Sequence, residues 1–285
     1  MAECRLIINA DDFGITPGVS RGIAEAMASG VVTSASVMVN MQGWDDASSR
    51  LGDAPTDVSF GLHLNLVAGR PLTPARSLVD ARTGCFHSLA RFGFLATVGA
   101  LGADDIAAEC AAQLDRLRGT GVRVTHADSH RHVHVLPAVA NAIRPILRGL
   151  PLRRPRESLT RNLSDVGATV KKVVLAAAMG STFGAEPSNG EVDHFVGISL
   201  QGSAWFSERL AILIDTLPTG TTELMVHPGY ADAALFAVDD YTLPRERELA
   251  SLMSPGCRRR LRQRAVELVA FGRCASRAMA PDTEK

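Results

Sequence analysis

Short apolar runs alternate along this chain with longer stretches of helical spacing, and that alternation limits the possible folds more than any other feature. Arg5–Ala10 ("RLIINA") reads as a strand, and Thr16–Gly30 as a helix with Thr16 as N-cap, Pro17 in its first turn and Gly30 as its stop. Thr33–Asn40 is a second strand and Val58–Leu66 a third. In the third, Phe60, Leu62, Leu64 and Leu66 fall on one face, and His63 and Asn65 on the other. Ala103–Gly121 is an amphipathic helix, with Ile106, Cys110, Leu114 and Leu117 at helical spacing. Val122–His130 is the next strand with its exit loop. Leu136–Leu150 is helical, with Pro145 kinking or splitting it.

The pattern continues with a short strand at "LRRP" (Leu152 to Pro155) and a helix over Val166–Gly184. Asp193–Gly202 and Thr221–Tyr230 are strands separated by the helix Glu208–Leu217, and Leu261–Gly272 accommodates a last strand. About seven strands, nearly all followed by helices, predict an α/β fold. Its mainly parallel sheet closes, or nearly closes, into a distorted (βα) barrel of TIM-barrel type, where function collects at the strand ends. No internal repeat or low-complexity segment interrupts it, so residues 1–285 read as a single barrel domain. Residues 70–102 form a long connection containing Pro and Gly, with one short helix, which suits a lid or substrate loop.

Composition excludes several classes of partner. Thirty basic residues balance thirty acidic ones, so no net charge draws the chain to nucleic acid or an anionic membrane. The Arg-rich run Cys257–Arg264 reads as a solvated helix face. No uninterrupted apolar stretch reaches the ~20 residues of a membrane helix. The first fourteen residues carry a charge inside a short apolar run and read as a strand rather than a signal peptide. Five scattered cysteines without a CxxC pair argue against a disulfide framework or a thiolate metal site and fit a reducing cytoplasm. Nothing in this composition speaks against a homo-oligomer.

Unusual polar residues gather at the predicted strand ends. "HADSHRHVH" (His126 to His134) concentrates four of the eight histidines, with Asp128, in one stretch. If the strand persists, 126, 128 and 130 share a face. Asp11 and Asp12 are adjacent carboxylates at the tip of the first strand, costly there unless a positive charge joins them. The alternative is a helix-capping turn, a role that Thr16-Pro17 already fills. His63 alone would read as a hydrogen-bonded core histidine. His227, in "HPGY", is either an acid–base group or incidental to a Pro-Gly turn. Two histidines and an aspartate from three strand ends form a metal site that keeps positions open for water and substrate.

Five blocks, in order, carry a resemblance: "NADDFG" followed by "GVVTSASVMVN", then "GLHLNLVAGRPL", "THADSHRHVH" and "HPGY". Together they resemble the YdjC-like carbohydrate deacetylases, including the chitooligosaccharide deacetylases, and "YTLPRERELASL" (Tyr241 to Leu252) fits the family's tail. The resemblance implies a distorted (βα) barrel that removes acetyl groups from N-acetylated amino sugars with one divalent cation. Matched block by block, it implies Asp11 as general base and Asp12, His63 and His130 as metal ligands. His126, His132 and His134 would support them, and His227 would be the general acid by analogy with other barrel-type deacetylases. Two imidazoles and a carboxylate suit zinc, manganese, iron or cobalt by softness. The family is associated with magnesium, so Mg2+ and Zn2+ are the expected choices. Residues 70–102 and 154–190 match no block, which leaves the sugar to be read from them.

Two other classes remain for the same residues. A metal-independent glycoside hydrolase would pair Asp11 or Asp12 with Asp128 across a glycosidic bond. A non-catalytic sugar-binding barrel would want aromatic platforms, and the chain has only two Trp and two Tyr.

Overall fold

The computed structural model describes residues 4–158, 166–183 and 192–273. Gly184, at the end of one expected helix, and Cys274 lie outside these residues, as does part of the 154–190 segment. Strand β1 (Cys4–Phe13) is buried from Leu6 to Phe13, as a central strand covered on both faces must be. One of its edges pairs with β6 (Gly220–Val226), from Cys4 opposite Gly220 to Ala10 opposite Val226. The other edge is shared. Strand β7 (Glu267–Leu268) takes Arg5 and Leu6, and β2 (Ser34–Val37) takes over from Asn9.

The sheet extends through β3 (Ser59–Leu64) and β4 (Val124–Ser129) on one side and β5 (His194–Val196) on the other, in the order β4-β3-β2-β1-β6-β5. Every pairing is parallel. The short strand expected at "LRRP" is a single parallel bridge, Leu152 to Ala127, at the outer edge of β4. Among the described residues no backbone pairing joins that edge to β5, so the sheet is a curled half-barrel rather than a closed one. Arg153 spans the gap with its side chain, bonding Glu223 on β6 and lying 5.8 Å from the Phe195 ring on β5.

Helices follow the strands. Helix α1 (Pro17–Ala28) is capped by Thr16, whose hydroxyl accepts from the Val19 N–H. Next come α2 (Trp44–Leu51), α3 (Leu89–Thr97), α4 (Ala103–Arg118) and α5 (Pro137–Ile143). The expected helix over Leu136–Leu150 is split: α5 ends at Ile143, and although Arg144 keeps helical backbone, Pro145 has no N–H to continue the hydrogen-bond ladder. Helices α6 (Val166–Phe183) and α7 (Phe206–Asp215) match the pattern. Three short helices, α8 (Ala233–Val238), α9 (Pro244–Met253) and α10 (Pro255–Gln263), fill the tail. The Arg-rich α10 buries Cys257 and Leu261 and turns its arginines outward.

The connection 70–102 is anchored rather than loose. Glu109 on α4 accepts from the Leu72 and Thr73 N–H groups and the Thr73 hydroxyl, and Asp105 accepts from the Ser77 N–H. No helix among the described residues is long and apolar enough to cross a membrane, and the described cysteines are free thiols.

Candidate active site

All five residues expected to carry chemistry line one cavity at the carboxyl ends of the strands: Asp11, Asp12, His63, His130 and His227. Local backbone geometry makes this possible. The β1–β2 register shifts between Ala10 and Phe13, and Asp12 adopts a left-handed φ of 70°. Adjacent strand residues normally face opposite ways; this bulge lets both carboxylates reach the same space. Asp12 is left-handed without being glycine, a strain that persists only where surroundings hold it.

Three side chains converge on Asp12. Its Oδ1 lies 3.1 Å from His63 Nε2 and 2.9 Å from His130 Nδ1, and its Oδ2 accepts from Arg245 Nη2 at 2.6 Å. One ligand atom each from Asp12, His63 and His130 fall within 4.8 Å of one another, and all three residues are buried. The opposite face of His63 is fixed by Asp128, whose Oδ1 is 2.6 Å from Nδ1. A carboxylate on Nδ1 sets the tautomer and leaves Nε2 free to act as a ligand. These donors fit a divalent cation.

Asp11, His63 and Asp128 also come within 4.8 Å of one another, but there a cation is already supplied by the chain. Arg153 Nη1 and Nη2 donate to Asp11 Oδ2 and Oδ1 at 2.6 and 2.7 Å, Nη2 reaches Asp128 Oδ2 at 2.8 Å, and Nε donates to Glu223 at 2.7 Å. The guanidinium thus joins three carboxylates from three strands.

Burial and charge divide the protonation states. Burial pushes the Asp12 carboxyl up, but Arg245 and His130 outweigh it and hold the group well below the usual carboxylate range. Burial raises Asp11 against the pull of Arg153. His63, despite burial, is pushed up to about 10 by Asp128 and Asp12. Burial moves four other histidines the other way: His126 falls to about 3 and His134 to about 4, and His132 and His227 lie well below the ordinary imidazole value.

The rest of the histidine-rich stretch divides accordingly. His126 and Asp128 share the inward face of β4. His126 Nε2 meets Asn9 Oδ1 at 3.1 Å, and its ring stacks on Phe271. Past the strand, Arg131 and His132 are both left-handed with φ of 56°, a tight turn that carries the chain from His130 to α5. His134 Nε2 donates to the Arg153 carbonyl at 3.0 Å and so supports the arginine.

Several residues here escaped the sequence reading. Arg153 and Arg245 look like ordinary charges in "LRRPRE" and "LPRERE" until the fold buries them against carboxylates. Glu248 on α9 accepts from the His227 N–H at 2.6 Å and from the Tyr241 hydroxyl. Lys171, Gln201 and Tyr241 complete the cavity wall, and no residue of 70–102 lines it.

The model of the YdjC-like protein family matches residues 5–263. A carbohydrate deacetylase of Geobacillus stearothermophilus is 34% identical over 268 residues, covering 93% of this chain and 96% of its own. A carbohydrate deacetylase of Homo sapiens is 34% identical, covering 94% of this chain and 90% of its own. A chitooligosaccharide deacetylase of Yersinia enterocolitica is 32% identical, covering 95% of this chain and all of its own. A crystal structure of an Enterococcus faecalis protein shares the fold with a TM-score of 0.72 at 24% identity, covering 95% of this chain and 98% of its own. The chain belongs to the YdjC-like family.

Proposed function

We propose that this protein hydrolyses the acetamido group of an N-acetylated amino sugar or short oligosaccharide, using one divalent cation held by Asp12, His63 and His130. The convergence of those three donors beside two further acid–base groups carries the reading. The names of the relatives, carbohydrate and chitooligosaccharide deacetylases, support the substrate class.

When bound, the cation supplies Lewis acidity for the acetyl oxygen and lowers the pKa of the attacking water. The chain's own groups do the rest. Asp11 Oδ1 already accepts from Asn9 Nδ2 and Arg153 Nη2, whereas Oδ2, among the described residues, accepts only from Arg153 Nη1. A carboxylate oxygen offers two lone-pair sites, so Oδ2 is the atom that takes the water's proton. The water oxygen bonds to the acetyl carbon, the carbon–nitrogen bond breaks, and His227 protonates the departing nitrogen. Burial keeps His227 neutral before substrate enters. The proton it hands on is therefore one it takes from solvent as negative charge builds at the acetyl group beside it, and the proton held by Asp11 returns to solvent as acetate leaves.

A glycoside hydrolase pairing Asp11 with Asp128 draws no support from this geometry. Both carboxylates are bonded to one guanidinium, which leaves no room between them for a sugar linkage.

Acetate release from a panel of N-acetylated sugars, measured on metal-stripped protein and after re-adding single cations (Mg2+, Zn2+, Mn2+, Co2+), tests the proposal. Activity should vanish on stripping and return with at least one ion. Asp12→Ala should lose both metal and activity, and Asp11→Asn should keep metal and lose turnover. Full activity in the stripped protein, or metal binding by Asp12→Ala equal to wild type, overturns it.

A further inference from the structure

We propose that Trp205 is the platform of an outer sugar subsite, stacking against the ring next to the one that is deacetylated. The inference rests on the deacetylase reading above and adds where a longer substrate lies. The cavity holds about 30 Å³. A space that small admits no pyranose ring, so the acetamido group points inward and the sugar rings stay on the rim.

The connection from β5 to α7 builds that rim. Gln201 lines the cavity and bonds Lys171 across it. The next residue, Gly202, turns sharply at φ 75° and donates its N–H to the Tyr241 hydroxyl at 2.8 Å. Arg247 on α9 reaches the Ser203 carbonyl at 3.2 Å. The loop is therefore pinned to the wall of the site two residues before Trp205 begins α7. Because it follows the carboxyl end of a parallel strand, it stands on the same face as the metal-ligand residues.

Trp205 is 65% exposed there, and Leu243, two residues beyond Tyr241, is 60% exposed at the start of α9. Phe94 and Phe236 are exposed as well, but the chain's other Trp and Tyr side chains are engaged. Trp44 is only 8% exposed and lies beneath Arg116, and Tyr230 bonds Glu25 beneath Arg21. An indole left in water forfeits the stabilisation its burial would give. A flat apolar surface on the loop that also carries Gln201 matches a pyranose, which presents C–H groups on its faces and hydroxyls at its edge.

The test compares kcat/KM for N-acetylglucosamine with that for its β-1,4-linked dimer, in the metal-loaded enzyme. Trp205→Ala should lower the dimer-to-monomer ratio about tenfold, the scale of one aromatic stacking contact. Trp205→Phe should recover part of it. Ile212→Ala, which removes another exposed side chain of α7, should keep the wild-type ratio. An unchanged ratio in Trp205→Ala overturns the subsite. If no sugar loses acetate with any cation, the deacetylase reading fails by itself. The subsite then stands or falls on tryptophan emission during titration with the dimer, which should shift in wild type and stay still in Trp205→Phe.

Discussion

Asp128 Oδ1 sits 2.6 Å from His63 Nδ1, on the side of the ring opposite the expected cation. The two residues are directly opposed in the β3–β4 register, so the pairing is set by backbone geometry rather than by a flexible side chain. Asp128→Ala should weaken divalent-cation affinity about 10- to 100-fold, the usual effect of losing a carboxylate behind a ligand imidazole. Asp128→Asn should fall between the two proteins. Titration calorimetry, with circular dichroism to confirm folding, reads the result. Wild-type affinity in Asp128→Ala would remove His63 from the ligand set.

Gly61 on β3 faces the ring of His126. A Cβ there would stand 2.5 Å from Cδ2 and Cε1 of that imidazole, far inside contact distance. His126 has no room to retreat, because Phe271 stacks on it at 4.0 Å. Gly61→Ala should therefore destabilise the fold by about 1–3 kcal/mol, as overpacking does. Urea denaturation measures it, and a variant as stable as wild type would mean that the His126 ring is not held in place.

Arg245 links Asp12 to Asp239, donating at 2.6 Å to each, and all three side chains are buried. Replacing it by methionine leaves Asp12 charged without its guanidinium. The expected cost is about 3–5 kcal/mol, from an uncompensated buried charge. Arg131 still holds Asp239, so the loss falls on Asp12. A metal-free Arg245→Met protein within 1 kcal/mol of wild type in chemical denaturation would contradict this.

Burial raises the Glu248 carboxyl to about 7, although the Tyr241 hydroxyl and the His227 N–H favour its charged form. An acid held above its unfolded value gives stability that is complete below the unfolded pKa and is lost as pH rises through the folded one. Relative to Glu248→Gln, wild-type stability should fall between about pH 4.5 and 7 and then level off. The difference is on the order of 3 kcal/mol. Parallel pH dependence in the two proteins would show that Glu248 is ionised in the fold throughout.

The strands and most of the large helices were legible because their signals are local. Alternation marks β3, helical spacing marks α4, and Thr16 with Pro17 marks the start of α1. A gathering of aspartates and histidines at strand ends was readable from position, and the choice of Asp12, His63 and His130 among them was what the family resemblance implied. What stayed hidden depends on distant partners. Arg153 and Arg245 act through carboxylates 142 and 233 positions away, and nothing in their neighbours announces that. Helix α8 was missed because six residues are too few to show a period, and β7 exists only because β1 offers it an edge. The distorted barrel was legible from the alternation of strands and helices, but how far its sheet closes was not. Counting strands cannot reveal that β5 is three residues long and leaves a gap filled by a side chain.

The placement of β1 has a consequence for how the molecule is made. The central strand β1 leaves the ribosome long before its neighbours β6 and β7. A nascent chain must keep Leu6, Ile7 and Ile8 from other partners until more than 200 further residues have emerged, and pairings of such long span form slowly. Asp11 and Asp12 ride on that strand, and the arginines that neutralise them follow only 142 and 233 positions later. Chains cut off before α9 should therefore accumulate as aggregates rather than as smaller working enzymes.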